Sequence, residues 1–344
     1  MRMTFEQFKA EIMNLREEIL PETLNDAMLS IEHVKKVNHS YDALQISVPG
    51  TNYGVAIDLN RLYREYMPYS FDAALDSLRK MIAGLDLTQG EALGRNAEWL
   101  ADYRNVRDSL FVRCSNAKEN AGLLENCPHT VLGDLAFTVH VGLDWQEGSD
   151  PSFTTMVTND ILNTWGIDRQ TLLEDAVDNS ALRMPMTCRP LSAVMQDFMG
   201  SDSDEMPGPY DEPAIFVLSN TFTHHGAAAV IYPGVLDMMQ ERIGNFYMLP
   251  SSVHEFLLIP ESMGMDVSDL ERMVRDVNTS VLLPEDYLSN TVYHYDGVEK
   301  RMEPAQEYVE RKELEAEKTK NASAKLAGTG QKAMQNRPVK PMTM

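Results

Sequence analysis

Cysteine is scarce in this chain: Cys114, Cys127 and Cys188 are its three thiols, they lie far apart, and no CxxC pair occurs. An odd, scattered set supports neither a disulfide framework nor a thiolate zinc site, so folding rests on an apolar core. Long hydrophobic runs are missing as well. No stretch approaches the roughly 20 apolar residues of a membrane-spanning helix. The opening MRMTFEQFKAEIMNLREEIL has acids where a secretory signal has its apolar centre. A cytoplasmic protein with no membrane association is the expectation. Positive charge is the third deficit: 30 Lys and Arg stand against 52 Asp and Glu, for a net charge of −22. Duplex binding draws its affinity from cations that neutralise phosphates, so direct nucleic-acid binding by the body is not expected. P-loop, GxGxxG, RNP and kinase patterns are also absent, and no cofactor is implied.

What is present reads as an α+β protein. Its 344 residues suffice for two domains and a tail. Phe5, Phe8, Ile12, Leu15 and Ile19 recur at helical spacing up to Pro21. ALQISVP and YGVAID flank the Gly50–Asn52 turn as a hairpin, and Leu59 to Ile82 reads as helix interrupted near Pro68. Together these predict a small αββα domain over residues 1–84, followed by a polar connecting helix over 85–108.

A larger mixed-sheet domain built of strand-strand-helix units is predicted over 109–298. LFVRC, DLAFTVHVGL and FTTMV are its first strands, with DLAFTVHVGL central. Two helices follow, split by Gly166, the second capped by Asp168. Pro185, Pro190 and the acidic SDSDEMPGPYDEP predict an exposed loop, with the strands beyond it joining the same sheet. IFVLSN and AAAVIY read as strands, Pro233 to Gly244 as a helix, and FYMLP with EFLLIP as a strand pair. Ser268 and Glu271 form a capping box for VSDLERMVRDVN. From Glu299 onward 7 acids meet 10 bases, which makes the tail +3 and the body −25. Residues 299–344 have little to bury and are expected to be disordered.

The polar cluster Ser251, Ser252, His254 and Glu255 is the densest candidate site. On a strand, Ser252 and His254 share one face, where imidazole could activate hydroxyl, with Glu255 or another acid as orienter. No G-x-S-x-G elbow accompanies them, and the alternative is a hairpin turn in which His254 and Glu255 satisfy backbone groups or each other. His224 and His225 could join His254 as three imidazoles, but neither HExxH nor HxH spacing occurs and no metal is expected. Asp134, His140 and Asp144 share one face of the DLAFTVHVGLD run as a candidate binding row, unless the two acids only mark the strand ends.

GDLAFTVHVGLD, ILNTWGIDRQTLLEDAVDN, GAAAVIYPGVLDMMQERIGNFYMLPSSVHE, MVRDVN and LLPEDYLSNTVYHYD resemble the strings of an uncharacterised bacterial group, domain-of-unknown-function family 5688. The resemblance covers residues 3 to about 296. It implies an intracellular bacterial protein associated with accessory or mobile genetic material, and it carries over no catalytic residues. The acidic body and the missing catalytic signatures favour a non-enzymatic binding or regulatory protein with a protein partner. The alternatives are a hydrolase using Ser252 and His254, and an acidic nucleic-acid mimic.

Overall fold

Helix Phe5–Asn14 starts where Thr4 and Gln7 close a reciprocal capping box, and its apolar stripe buries Phe8 and Ile12. The computed structural model describes residues 3–47, 54–84, 99–143, 153–199 and 214–335, together with Trp145, Gly148, Ser149 and Pro151. The Gly50–Asn52 turn, the stretch 85–98, the acidic loop 201–213 and Asp144 lie outside the described residues. The expected hairpin is present as β2 (His39–Ser47) and β3 (Gly54–Asp58). An additional strand, β1 (Met28–Lys36), precedes it and pairs antiparallel with β2. Its sequence MLSIEHVKK conceals it, because an edge strand with most side chains exposed or half-exposed needs no clean alternation. Helices Leu59–Tyr66 and Phe71–Ala83 cover this sheet. Phe8, Ile12, Leu44, Ile46, Leu62 and Leu78 form its core.

The rest of the chain forms two further antiparallel sheets. In the first, β6 (Leu135–Leu143) is central, flanked on one side by β4 (Leu110–Asn116). Along its other side run β5 (His129–Leu132) and then β7 (Phe153–Met156). The second contains β8 (Met186–Pro190), β9 (Phe216–Asn220), β10 (Phe246–Ser252), β11 (Glu255–Pro260), β12 (Tyr293–Asp296) and β13 (Arg301–Pro304), in the order β13-β12-β10-β11-β9-β8. The strands beyond the acidic loop therefore join β8, which precedes it, in a second sheet instead of extending the first, and every pairing among the described residues is antiparallel. Leu110, Val112, Phe137 and Val139 of one sheet meet Phe246, Met248, Phe256 and Tyr293 of the other in one shared core. Helix Arg169–Arg183, capped by Asp168 as expected, adds Leu172 and Ala176.

Several local expectations are corrected. AAAVIY is not a strand: Gly226–Ile231 is a buried 3-10 segment, made possible by small side chains with little preference for a sheet. Met186–Pro190 is strand β8, where loop was expected. Ser268 is no cap, because helix Val267–Ser280 begins before it, with Asp266 at the N-cap position and no side-chain capping bond. The segment from Glu299, expected to be disordered, contributes β13 and the start of helix Ala305–Gln335. Ala305 and Tyr308 are buried, and Arg311 bonds Glu303 at 3.1 Å and Glu299 at 2.6 Å. A mostly charged segment docks here because it carries the counter-charges of the buried acids Asp296 and Glu303.

Candidate functional site

The outer face of the four-stranded sheet is polar and yet mostly buried. On β4, Val112 and Cys114 face the core while Phe111, Arg113 and Ser115 face outward. On β6, Phe137, Val139 and Val141 face inward while Thr138 and His140 face outward. The registers set Phe111 opposite His140 and Arg113 opposite Thr138. His140 is 4% exposed; its Nε2 meets Thr138 Oγ1 at 3.0 Å and its ring lies 5.6 Å from that of Phe111. Arg113, Ser115, Thr138 and His140, with Thr154 and Met156 of β7, form the floor of a cavity of about 460 Å³.

One wall is the loop after β9. Asn220 holds it from both ends, its Nδ2 donating to His224 O at 2.9 Å and its Oδ1 accepting from Phe222 N at 2.9 Å. Thr223 and His225 adopt left-handed φ angles of 53° and 52°, each costing about 1–2 kcal/mol in a non-glycine residue. Gly226 follows because nothing larger fits: a Cβ there would lie 2.6 Å from Asn220 N and 2.7 Å from His254 O. The strained loop thereby lies directly against the β10–β11 turn.

That turn supplies the second wall. Val253 and His254 form it, between the paired residues Ser252 and Glu255. His254 is thus a turn residue, and the strand alternation that would put it beside Ser252 does not apply. Ser252 Oγ accepts from the His254 backbone N–H at 3.0 Å, and Ser251 Oγ donates to Glu255 Oε1 at 3.2 Å. The His254 ring points elsewhere. Its Nδ1 accepts from the His225 backbone N–H at 3.0 Å, which leaves Nε2 as the protonated nitrogen facing Asp286 Oδ1 at 3.1 Å. Asp286 is held in turn, its carbonyl accepting from Val253 N at 2.9 Å.

The tip of the β1–β2 hairpin closes the cavity from above. Asn38, at a left-handed φ of 58°, donates from Nδ2 to Glu285 O at 3.1 Å and Tyr287 O at 2.6 Å. Its backbone N–H and its Oδ1 both bond the Asn120 amide at 2.7 Å. These bonds bring Lys35, Lys36 and Val37 over the floor. Four of the 8 histidines in the chain, His140, His224, His225 and His254, line this one cavity. The His224 ring centroid lies 4.2 Å from that of His225 and 5.1 Å from that of His254.

Burial and the Arg113 charge together hold His140 well below the usual imidazole range and lower His225 to about 2. Both rings are therefore neutral near pH 7 and act as hydrogen-bonding groups. Among the described residues no three His, Cys, Asp or Glu side chains are placed to hold a metal ion. Both nitrogens of His254 are already engaged, which removes one imidazole from any such set.

The candidates picked out in the sequence thus divide. His140, His224, His225 and His254 converge on the cavity, whereas Ser252 and Glu255 are tied into the turn. Asp134 lies at the start of β6 and away from the cavity, where its carboxylate accepts from Ser289 Oγ at 2.8 Å, Thr291 Oγ1 at 3.1 Å and the Tyr293 hydroxyl. It braces the two sheets. Lys35, Lys36, Arg113, Ser115, Thr138 and Asp286 were not singled out. For three of them a signal exists: LFVRCSN and LAFTVHV each alternate a core face with a polar one, which isolates Arg113, Ser115 and Thr138.

No curated protein and no solved structure gives a significant match to this chain. A family profile does, over residues 5–297, and that span takes in the floor, both walls and the lid of the cavity. The chain belongs to DUF5688, a family of unknown function.

Proposed function

We propose that this protein is a non-enzymatic binding or regulatory protein of the bacterial cytoplasm, and that the cavity beneath the β1–β2 hairpin receives its ligand. The observation that carries the reading is the convergence of four imidazoles and Arg113, from four separate segments, on one partly open cavity. Of these groups His140 is buried, Arg113, His225 and His254 are half-buried and His224 is exposed, and a few polar groups converging on one pocket are usual in recognition sites. Turnover has less support. His254 uses both ring nitrogens internally, His140 and His225 are held neutral, and the Ser252 hydroxyl is engaged with backbone. The acidic body, −25 before Glu299, offers a surface for a basic protein partner.

The test uses the full chain, incubated with a soluble bacterial extract, desalted and measured by native mass spectrometry. A small molecule retained by the wild type and lost from Thr154→Trp, which fills the cavity from a half-buried position, is the expected result. Retention of the same molecule by both proteins, or by neither, overturns the assignment. Labelling of Ser252 by a serine-directed probe would restore the hydrolase alternative.

A further inference from the structure

We propose that the ligand is a small phosphomonoester, its phosphate held between the lid lysines and the floor of the cavity. This rests on the binding assignment above and adds the chemical class. Three cations line the cavity in a chain of net charge −22: Lys35 and Lys36 from the hairpin and Arg113 from β4. Among the described residues neither lysine takes part in an ion pair, although acids outnumber bases across the chain. Ser115 also bounds the floor at 1% exposure, its hydroxyl without a hydrogen-bond partner and covered from solvent. A buried hydroxyl left unsatisfied costs about 1–3 kcal/mol, so it adds to the polarity of the floor without touching a ligand.

The hydroxyls of Thr138 and Thr154 border the same space. Thr138 Oγ1 is engaged with His140 Nε2, but cations above and the Thr154 hydroxyl below suit a tetrahedral dianion with several acceptor oxygens better than a planar monocarboxylate. Two acids, Glu285 and Asp286, also line the cavity; Asp286 is engaged with His254 Nε2 and Glu285 is exposed. Val37, Leu123, Met156 and Val253 provide an apolar side for an organic body. A volume of about 460 Å³ admits a phosphate and a ring-sized substituent.

The probes are phenyl phosphate, inorganic phosphate and benzoate, titrated calorimetrically into the full chain. Phenyl phosphate should bind at least about tenfold more tightly than benzoate and should weaken as salt rises from about 50 to about 300 mM. Inorganic phosphate should compete with it. The double variant Lys35→Ala/Lys36→Ala, whose side chains are exposed, should fold normally by circular dichroism and lose at least about fivefold in affinity. Benzoate binding as tightly as phenyl phosphate, or full affinity in the double variant, overturns the phosphate assignment. If phenyl phosphate fails to bind while the extract-derived molecule is still lost from Thr154→Trp, the phosphate class falls and the cavity remains the binding site. If both fail, both assignments fall.

Discussion

The two sheets of the larger unit share an inner face and differ on the outer one. The outer face of the six-stranded sheet, with Tyr247, Leu249, Ile259 and Val292, is covered by Leu270 and Val274 of helix Val267–Ser280 and by Ala305. His294 lies on that face, fully buried, with Tyr308 stacked on it at 3.5 Å and Glu261 Oε2 at 3.4 Å. The outer face of the four-stranded sheet, with Arg113, Ser115, Thr138 and His140, is roofed by the hairpin tip and borders a cavity. Both faces carry a buried imidazole held below its usual range by desolvation. Burial alone therefore does not separate core from site. What differs is the cover: His294 is stacked under Tyr308 of the docked C-terminal helix, while His140, beside Phe111, borders a volume lined by cations and hydroxyls.

The shared inner face sets the scale for any test of that contrast. Phe137→Ala should cost about 3–5 kcal/mol in chemical denaturation, since the ring is fully buried between the sheets. Next comes the cover of the six-stranded sheet. Ending the chain after Gly297 removes β13, Ala305 and Tyr308, and should cost about 2–4 kcal/mol. An unchanged thermal midpoint would show that helix Ala305–Gln335 does not serve as cover. On the cavity side, His254→Leu strands the His225 N–H and the Asp286 carboxylate, an expected loss of about 1–3 kcal/mol. His254→Gln should lose less, because its amide can replace one bond.

Acid should weaken the cavity side in a defined direction. Folded His225 titrates at about 2 against an ordinary 6.5, so below pH 6.5 the unfolded chain binds a proton that the folded chain does not. Its contribution is complete above pH 6.5 and is lost as pH falls, with a slope of up to about 1.4 kcal/mol per pH unit. His225→Gln should flatten that part of the stability profile, and identical profiles for the two proteins would place the ring in solvent. The smallest effect, and one of opposite sign, is expected at Ser115→Ala, a gain of about 1 kcal/mol, because it removes a buried hydroxyl that has no hydrogen-bond partner. A loss above about 2 kcal/mol would mean that the hydroxyl is bonded in the folded protein.

Elements encoded by their own residues were legible in the chain. Gly166 and Gly244 end helices at φ angles of 66° and 75°, Asp168 caps through a 2.9 Å bond to Thr171 N, and β10 and β11 pair across a two-residue turn. Each depends on residues a few positions apart. β1, β5, β8, β12 and β13 were not legible, since these short or edge strands take their stability from a partner distant in sequence. The docked segment after Glu299 was missed for the same reason: its attachment lies in Arg311 and Lys312 meeting acids of β12, β13 and the turn between them.

The site shows the same division. His224, His225 and His254 stand out together in the sequence and the fold does bring their rings together, whereas His140 stands out beside Asp134, which the fold places away from the cavity. The polar alternation of β4 and β6 is a property of the sequence, as is the need for glycine at 226 once the backbone passes there. Whether that polar face would be covered or left open was decided only by the packing of two sheets on one core and the seating of Asn38 on Asn120, Glu285 and Tyr287. Side-chain alternation and capping are fixed by neighbours along the chain, whereas a cavity is the space left between surfaces that meet only after distant segments have been buried together.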